Sequence, residues 1–331
     1  MLETSPSVLI IRLDAIGDAL ALTPLLAALK RDRIPADVVL RPVNAGVFSS
    51  RAVRSVVTAG FALRSDASET LAAIAALGAE LAQRRYTHVL VATEDPGGYR
   101  LARATGARTR VGFVNGWGKP FKTLWARHLL TRALNRTAGL DPRAPHECAV
   151  LFRLGDSLVR ESEPTRKLAR LRPLVIEEEP PADERVAVQI TDKWRRLGFR
   201  DEDVAALVRR AAAAWPIRAI GSASESAYAS AIGQATGTHV ELFEKLEPWK
   251  RAIAGARAVI APDSGALHVA GMTGTPVVGV FPQTPEAALQ TTRWAPWAAP
   301  YRLVVSNAEW PAQAVAAASE LVAQRDPTGI R

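Results

Sequence analysis

Three short segments hold side chains whose types and spacing suit group-transfer chemistry. The first is Arg12-Leu13-Asp14-Ala15-Ile16-Gly17-Asp18, a turn that follows an apolar run and leads into a segment with Thr23 and Pro24. Gly17 suits a tight turn. A carboxylate at Asp18, near the positive end of a helix dipole, is placed either to cap the helix or to take a proton from a bound hydroxyl. The second is Asp263-Ser264-Gly265-Ala266-Leu267-His268, where an apolar run ends and a helix begins. The amides of Ser264, Gly265 and Ala266 at such a helix start form an anion site shaped for a pyrophosphate. Asp263 would equally serve as a plain cap, and His268 could pack on the helix face. The third is Thr191-Asp192-Lys193-Trp194, where an ammonium could neutralise a departing phosphate. No G-x-G-x-x-G is present, which argues against a dinucleotide cofactor.

Positioning these groups requires strand–turn–helix units, and the hydrophobic pattern supplies them. In the first half, strands are expected at 8–13, 37–40 and 88–93, with helices at 19–30 and 68–83. In the second half, strands are expected at 185–190, 217–221, 239–243, 258–262 and 276–281. Helices are expected there at 201–214, 224–235, 247–254 and 264–274, with a last one near 311–324. Alternation of this kind predicts parallel sheets covered by helices: an α/β chain of two Rossmann-like, doubly wound domains facing a central cleft, with ligands at the carboxyl ends of the strands. The segment Arg160–Asp183 is rich in charge and proline and ends in Glu-Glu-Glu-Pro-Pro, which reads as a linker. It sets the domains at 1–170 and 171–331.

The 331 residues suffice for two ordinary cores. The 42 Lys and Arg against 33 Asp and Glu give a net charge of +9, which favours an anionic partner. The lone cysteine, Cys148, excludes an intrachain disulfide or a cysteine-built zinc site and reads as a small apolar filler. No basic leader with a cleavage site opens the sequence, and no uncharged apolar run approaches the roughly 20 residues of a membrane span. The expectation is a cytoplasmic protein, or one lying on the cytoplasmic face of the inner membrane.

Taken together and in order, the motifs resemble those of the ADP-heptose:lipopolysaccharide heptosyltransferase family. VLIIRLDAIGDALALTP, from Val8 to Pro24, is similar to that family's opening signature. DSGALHVAGMTGTPVVGVF, from Asp263 to Phe281, is similar to its C-terminal one, and Lys193-Trp194 resembles the intervening Lys-Trp element. Arg110-Val111-Gly112-Phe113 and His146-Glu147 extend the likeness over nearly the whole chain. The resemblance implies the two-Rossmann GT-B architecture and inverting, metal-independent transfer of heptose from an ADP-sugar, with no cofactor. By position it implies that Asp18 is the general base, that Lys193 contacts the donor phosphates, and that Ser264, Gly265 and His268 form the phosphate-binding edge beside Asp263. Asp201-Glu202-Asp203 superficially matches a metal-binding Asp-x-Asp but reads as the acidic first turn of a helix. The chain departs from the family at Asp14-Ala15, at Phe281-Pro282-Gln283 and at Leu242–Lys245, which lacks the usual glycine-bearing loop.

A last segment, Arg100–Arg136, holds nine Lys or Arg and no Asp or Glu. Phe113, Trp117, Phe121 and Trp125 recur within it at every fourth position, while Gly116, Gly118 and Pro120 interrupt any continuous helix. The expectation is an irregular loop that receives an acidic, membrane-borne glycan acceptor through Lys119, Lys122 and Arg127. Two other functions fit these residues: a nucleotide-sugar epimerase or hydrolase on the same fold, and a non-enzymatic binder of acidic glycans. A nucleic-acid partner is not expected, since no module of that kind is present.

Overall fold

The computed structural model describes residues 6–136 and 146–325. The reading of the N-terminal leader falls partly on residues 1–5, outside that range. The chain divides into two compact units, residues 1–165 and 166–331.

The first unit is built on strands β1 (Val8–Ile11), β2 (Ala36–Leu40), β3 (Ser55–Thr58), β4 (His88–Val91), β5 (Thr109–Val114) and β6 (Arg132–Asn135). Their order in the sheet is β3-β2-β1-β4-β5-β6, and every pairing is parallel. Val8 to Ile11 are wholly buried because helices cover both faces of such a sheet. The chain winds outward from β1 to β3 and then returns past β1 to start β4. The strand order therefore reverses between β1 and β4, the place where open α/β sheets bind ligands.

The second unit repeats the arrangement with β7 (Asp183–Gln189), β8 (Ile217–Ser222), β9 (Val240–Phe243), β10 (Ala256–Pro262), β11 (Val277–Phe281) and β12 (Tyr301–Val305). The order is β12-β11-β10-β7-β8-β9, again parallel, so the reversal lies between β7 and β10. Helices expected from the sequence appear at Asp201–Ala214, Ser226–Thr236, Leu246–Gly255, Gly265–Thr273 and Trp310–Arg325.

Three expectations change. The helix expected over 19–30 is two helices, Ile16–Leu20 and Thr23–Arg31; Pro24, which has no N–H to donate, sits in the first turn of the second. The supposed linker is packed. Leu171, Leu174, Val175 and Ile176 are buried, Lys250 donates to the carbonyl of Val175, and Arg172 to that of Thr273. Gly274, with φ of 82°, ends the helix Gly265–Thr273, and a Cβ there would lie 2.5 Å from Leu168 Cδ1. Finally, the basic segment is no irregular loop: Pro120–Leu129 is a helix with proline at its permitted first position. Among the described residues, no helix is long and apolar enough to cross a membrane.

Candidate active site

At the β1–β4 reversal, the loop after β1 brings Arg12, Asp14 and Asp18 together. Arg12 is 3% exposed. A buried guanidinium needs partners, and Arg12 donates from Nη1 to the carbonyl of Ala92 after β4 and from Nη2, over 2.9 Å, to Asp18 Oδ1. Asp18 Oδ2 accepts the Ala15 N–H at 3.1 Å. Asp18 is therefore both a cap of its short helix and a carboxylate held by a cation, with its side chain 27% exposed. Gly17 is buried inside that helix rather than in the tight turn expected of it.

Asp14 Oδ2 lies 3.4 Å from Arg12 Nε. Burial pushes the Asp14 carboxyl up; Arg12 opposes this, Asp18 and Asp95 add to it, and the net shift is upward. The site therefore holds two carboxylates around one guanidinium.

Near Arg12 stands Glu147, 1% exposed, in the first turn of the helix Glu147–Phe152. Its Oε1 is 3.8 Å from Arg12 Nη2, and both its oxygens accept from Arg136 Nη2, at 2.9 and 2.7 Å. Arg136 reaches Glu94 at 3.4 Å, as does Lys122. Opposite charges thus alternate from Asp18 to the basic helix.

In the second unit, the loops after β7 and β10 flank the other reversal. Trp194 is wholly buried, donates from Nε1 to the Gln189 carbonyl at 2.9 Å, and stacks on Trp310 with centroids 5.3 Å apart. Phe199 meets it edge-on at 5.0 Å. This anchor places Lys193, the first residue of the helix Lys193–Arg196, at the strand end; among the described residues its ammonium forms no ion pair.

Ser264, not Asp263, is the N-cap residue of the helix Gly265–Thr273. Its Oγ is buried and has no hydrogen-bond partner among the described residues. An unsatisfied buried hydroxyl is costly unless a ligand completes it, and the helix's first amides point the same way. Asp263 faces His268, with Oδ1 3.8 Å from Nε2. Burial pushes its carboxyl up, but His268 and the nearby Lys193 charge outweigh that and hold it below the usual carboxylate range. His268 packs edge-on against Trp294 at 5.6 Å.

The structure thus gathers Asp263, Ser264, Gly265, His268 and Lys193 at one sheet edge and places Asp18 at the corresponding edge of the first unit. Asp201 and Asp203 bind Arg195 and Arg200, at 2.9 and 2.8 Å. The basic segment divides. Phe113 is buried and Trp125 packs on Tyr99 at 5.9 Å, so neither reaches an interface; the Trp117 side chain lies outside the described residues. Lys122 is turned to Glu94, whereas Lys119 and Arg127 are exposed, beside Phe121 at 88% and Leu124 at 72% exposure.

Sequence reading missed Glu225. Thr191 Oγ1 donates to its Oε1 at 3.0 Å, and Arg196 lies 3.6 Å away. Burial and a hydrogen bond shared with Asp192 push its carboxyl up to about 7. The role of Glu147 was also unreadable, since it arises from pairing with Arg12, in a distant segment.

The model of glycosyltransferase family 9 (heptosyltransferase) matches residues 205–322. No curated protein matches the sequence. Among solved structures, the chain is similar to a glycosyl transferase family 9 protein from Veillonella parvula, with 13% identity, a TM-score of 0.73 and coverage of 98% of this chain and 99% of that one. It is similar to E. coli heptosyltransferase WaaC with ADP, with 18% identity, a TM-score of 0.70 and coverage of 96% and 99%. It is also similar to E. coli ADP-heptose lps heptosyltransferase II, with 15% identity, a TM-score of 0.70 and coverage of 97% and 99%. The α/β fold of two parallel six-stranded sheets is that of these structures.

Proposed function

We propose that this chain is an inverting, metal-independent glycosyltransferase that moves heptose from ADP-heptose onto an acidic lipopolysaccharide-core acceptor. The observation that carries this reading is that each unit bears a polar cluster at its own sheet reversal: a guanidinium-held carboxylate, Asp18, in the first, and an anion cradle of Ser264, Gly265, His268 and Lys193 in the second. The family match over 205–322 and the ADP-bound relative support the donor class.

In this reading Asp18 takes the proton of an acceptor hydroxyl as that oxygen attacks the anomeric carbon. The bond from that carbon to the diphosphate breaks with its electron pair moving to phosphate oxygen, where Lys193 and the helix amides offset the charge. A positioned base contributes about 10²–10⁴-fold, and each donor aimed at developing charge about 3 kcal/mol. Asp263 holds His268 and Lys193 in register with the cradle. The first unit receives the acceptor and the second the donor.

Contact with the cytoplasmic face of the inner membrane fits the exposed face of the helix Pro120–Leu129. Phe121 and Leu124 would enter the lipid interface while Lys119 and Arg127 meet anionic headgroups, each cation contributing about 1 kcal/mol. Thermal shift with ADP, UDP and GDP tests the donor assignment: ADP should stabilise the protein most, and an equal or greater response to UDP or GDP would refute it.

A further inference from the structure

The mechanism above leaves one buried charge unused. Glu147 is as buried as the core leucines, yet it touches no proposed substrate position. It lies beside Arg12 and is also held by Arg136. Arg12 Nη2 is shared between them, 2.9 Å from Asp18 Oδ1 and 3.8 Å from Glu147 Oε1.

We propose that Glu147 is a positioning residue for the transfer reaction: it holds the Arg12 guanidinium and offsets part of its charge, so that Asp18 is aimed by Arg12 without being silenced as a base. The inference rests on the reading of Asp18 as that base. A carboxylate bound by an uncompensated guanidinium is a weak proton acceptor, because the cation favours its ionised form. Glu147 competes for the same guanidinium through a medium that water does not screen. Its own second partner, Arg136, is shared with Glu94, so the compensation is graded along the chain of charges.

Other groups around Arg12 and Asp18 are accounted for. Asp14 lies on the same loop, 3.4 Å from Arg12 Nε, and Asp95 follows β4 and acts on Asp14 through its charge. Lys122, on the helix Pro120–Leu129, meets Glu94. Among these, Glu147 and Asp18 are the two carboxylates within 4 Å of Arg12 Nη2.

The test compares Glu147→Gln, Glu147→Asp, Asp18→Asn and the double variant Asp18→Asn/Glu147→Gln in the full chain. With the Glu147 charge removed, Arg12 acts undiluted on the base. The acid limb of the transfer rate should move to lower pH by on the order of one unit, and plateau kcat should fall roughly threefold to tenfold. KM for the ADP-sugar should stay unchanged. Glu147→Asp, which keeps the charge, should return the acid limb toward its original position. Adding Glu147→Gln to Asp18→Asn should cost nothing further. A folded Glu147→Gln protein with an unmoved acid limb and unchanged kcat, or losses that add fully in the double variant, would overturn the proposal while leaving the base intact. Wild-type turnover in Asp18→Asn would overturn the base assignment and this inference with it.

Discussion

Arg12 Nη2 stands 2.9 Å from Asp18 Oδ1, and the same guanidinium is 3.4 Å from Asp14 and 3.8 Å from Glu147. One buried cation therefore organises three carboxylates at the point where the first sheet reverses its strand order.

Replacing that cation should cost stability before it affects chemistry. Arg12→Gln removes the cation beside Glu147 and strips Asp14 and Asp18 of their common partner. Breaking a buried pair by removing one side costs about 3–5 kcal/mol. Urea denaturation should show a loss in that range. A loss below about 1 kcal/mol would mean that the network contributes little to the fold.

The donor half-site predicts separable effects. Lys193→Ala should raise KM for the ADP-sugar about tenfold and flatten the salt dependence of ADP binding, since an exposed-edge cation is screened by salt. Ser264→Ala should weaken ADP binding without loss of stability, because it removes an orphaned buried hydroxyl. EDTA should leave transfer intact, with Asp201 and Asp203 held by Arg195 and Arg200. Inhibition by EDTA that magnesium reverses would contradict this.

Much of that half-site was legible because a strand, a Asp-Ser-Gly turn and a helix are contiguous in sequence, and local order fixes where their amides point. The linker was misread because charge and proline at 160–183 conceal four apolar residues, Leu171 to Ile176, whose partners lie far along the chain. Strands β3, β6 and β12 were missed for a related reason: edge strands are short and half exposed, so alternation is weak; the buried inner strand β5 was missed as well, because it falls inside the basic segment read as a loop. Glu147 could not be found from spacing, since its meaning comes from Arg12, more than a hundred residues earlier.

The Asp192–Glu225 pair predicts a pH-dependent stability. With its carboxyl raised to about 7 in the fold, Glu225 keeps a proton that the unfolded chain releases near 4.5. Its contribution is therefore present below pH 4.5 and lost as pH rises through 7. Between pH 5 and 8 the wild type should lose on the order of 1–2 kcal/mol from this source, discounted for the pair's partial exposure to solvent. Glu225→Gln should flatten the curve over that window; a curve as steep as the wild type's would refute the assignment.

Binding to vesicles should depend on the exposed helix face. Replacing Phe121 with Ala and both Lys119 and Arg127 with Gln should reduce sedimentation with anionic vesicles and raise acceptor KM, while ADP affinity holds. Lys122→Gln, at a side chain committed to Glu94, should change vesicle binding little. Unchanged vesicle binding in the folded triple variant would remove this surface from consideration.

Acceptor-dependent heptosyl transfer by Asp18 can be measured as release of ADP from ADP-heptose with and without a lipopolysaccharide-core acceptor. ADP should appear rapidly only when acceptor is present, in step with a heptosylated product, and Asp18→Asn should slow both by about 10²-fold or more. Sugar nucleotide consumed equally fast without acceptor, or by the Asp18→Asn protein, would contradict the account.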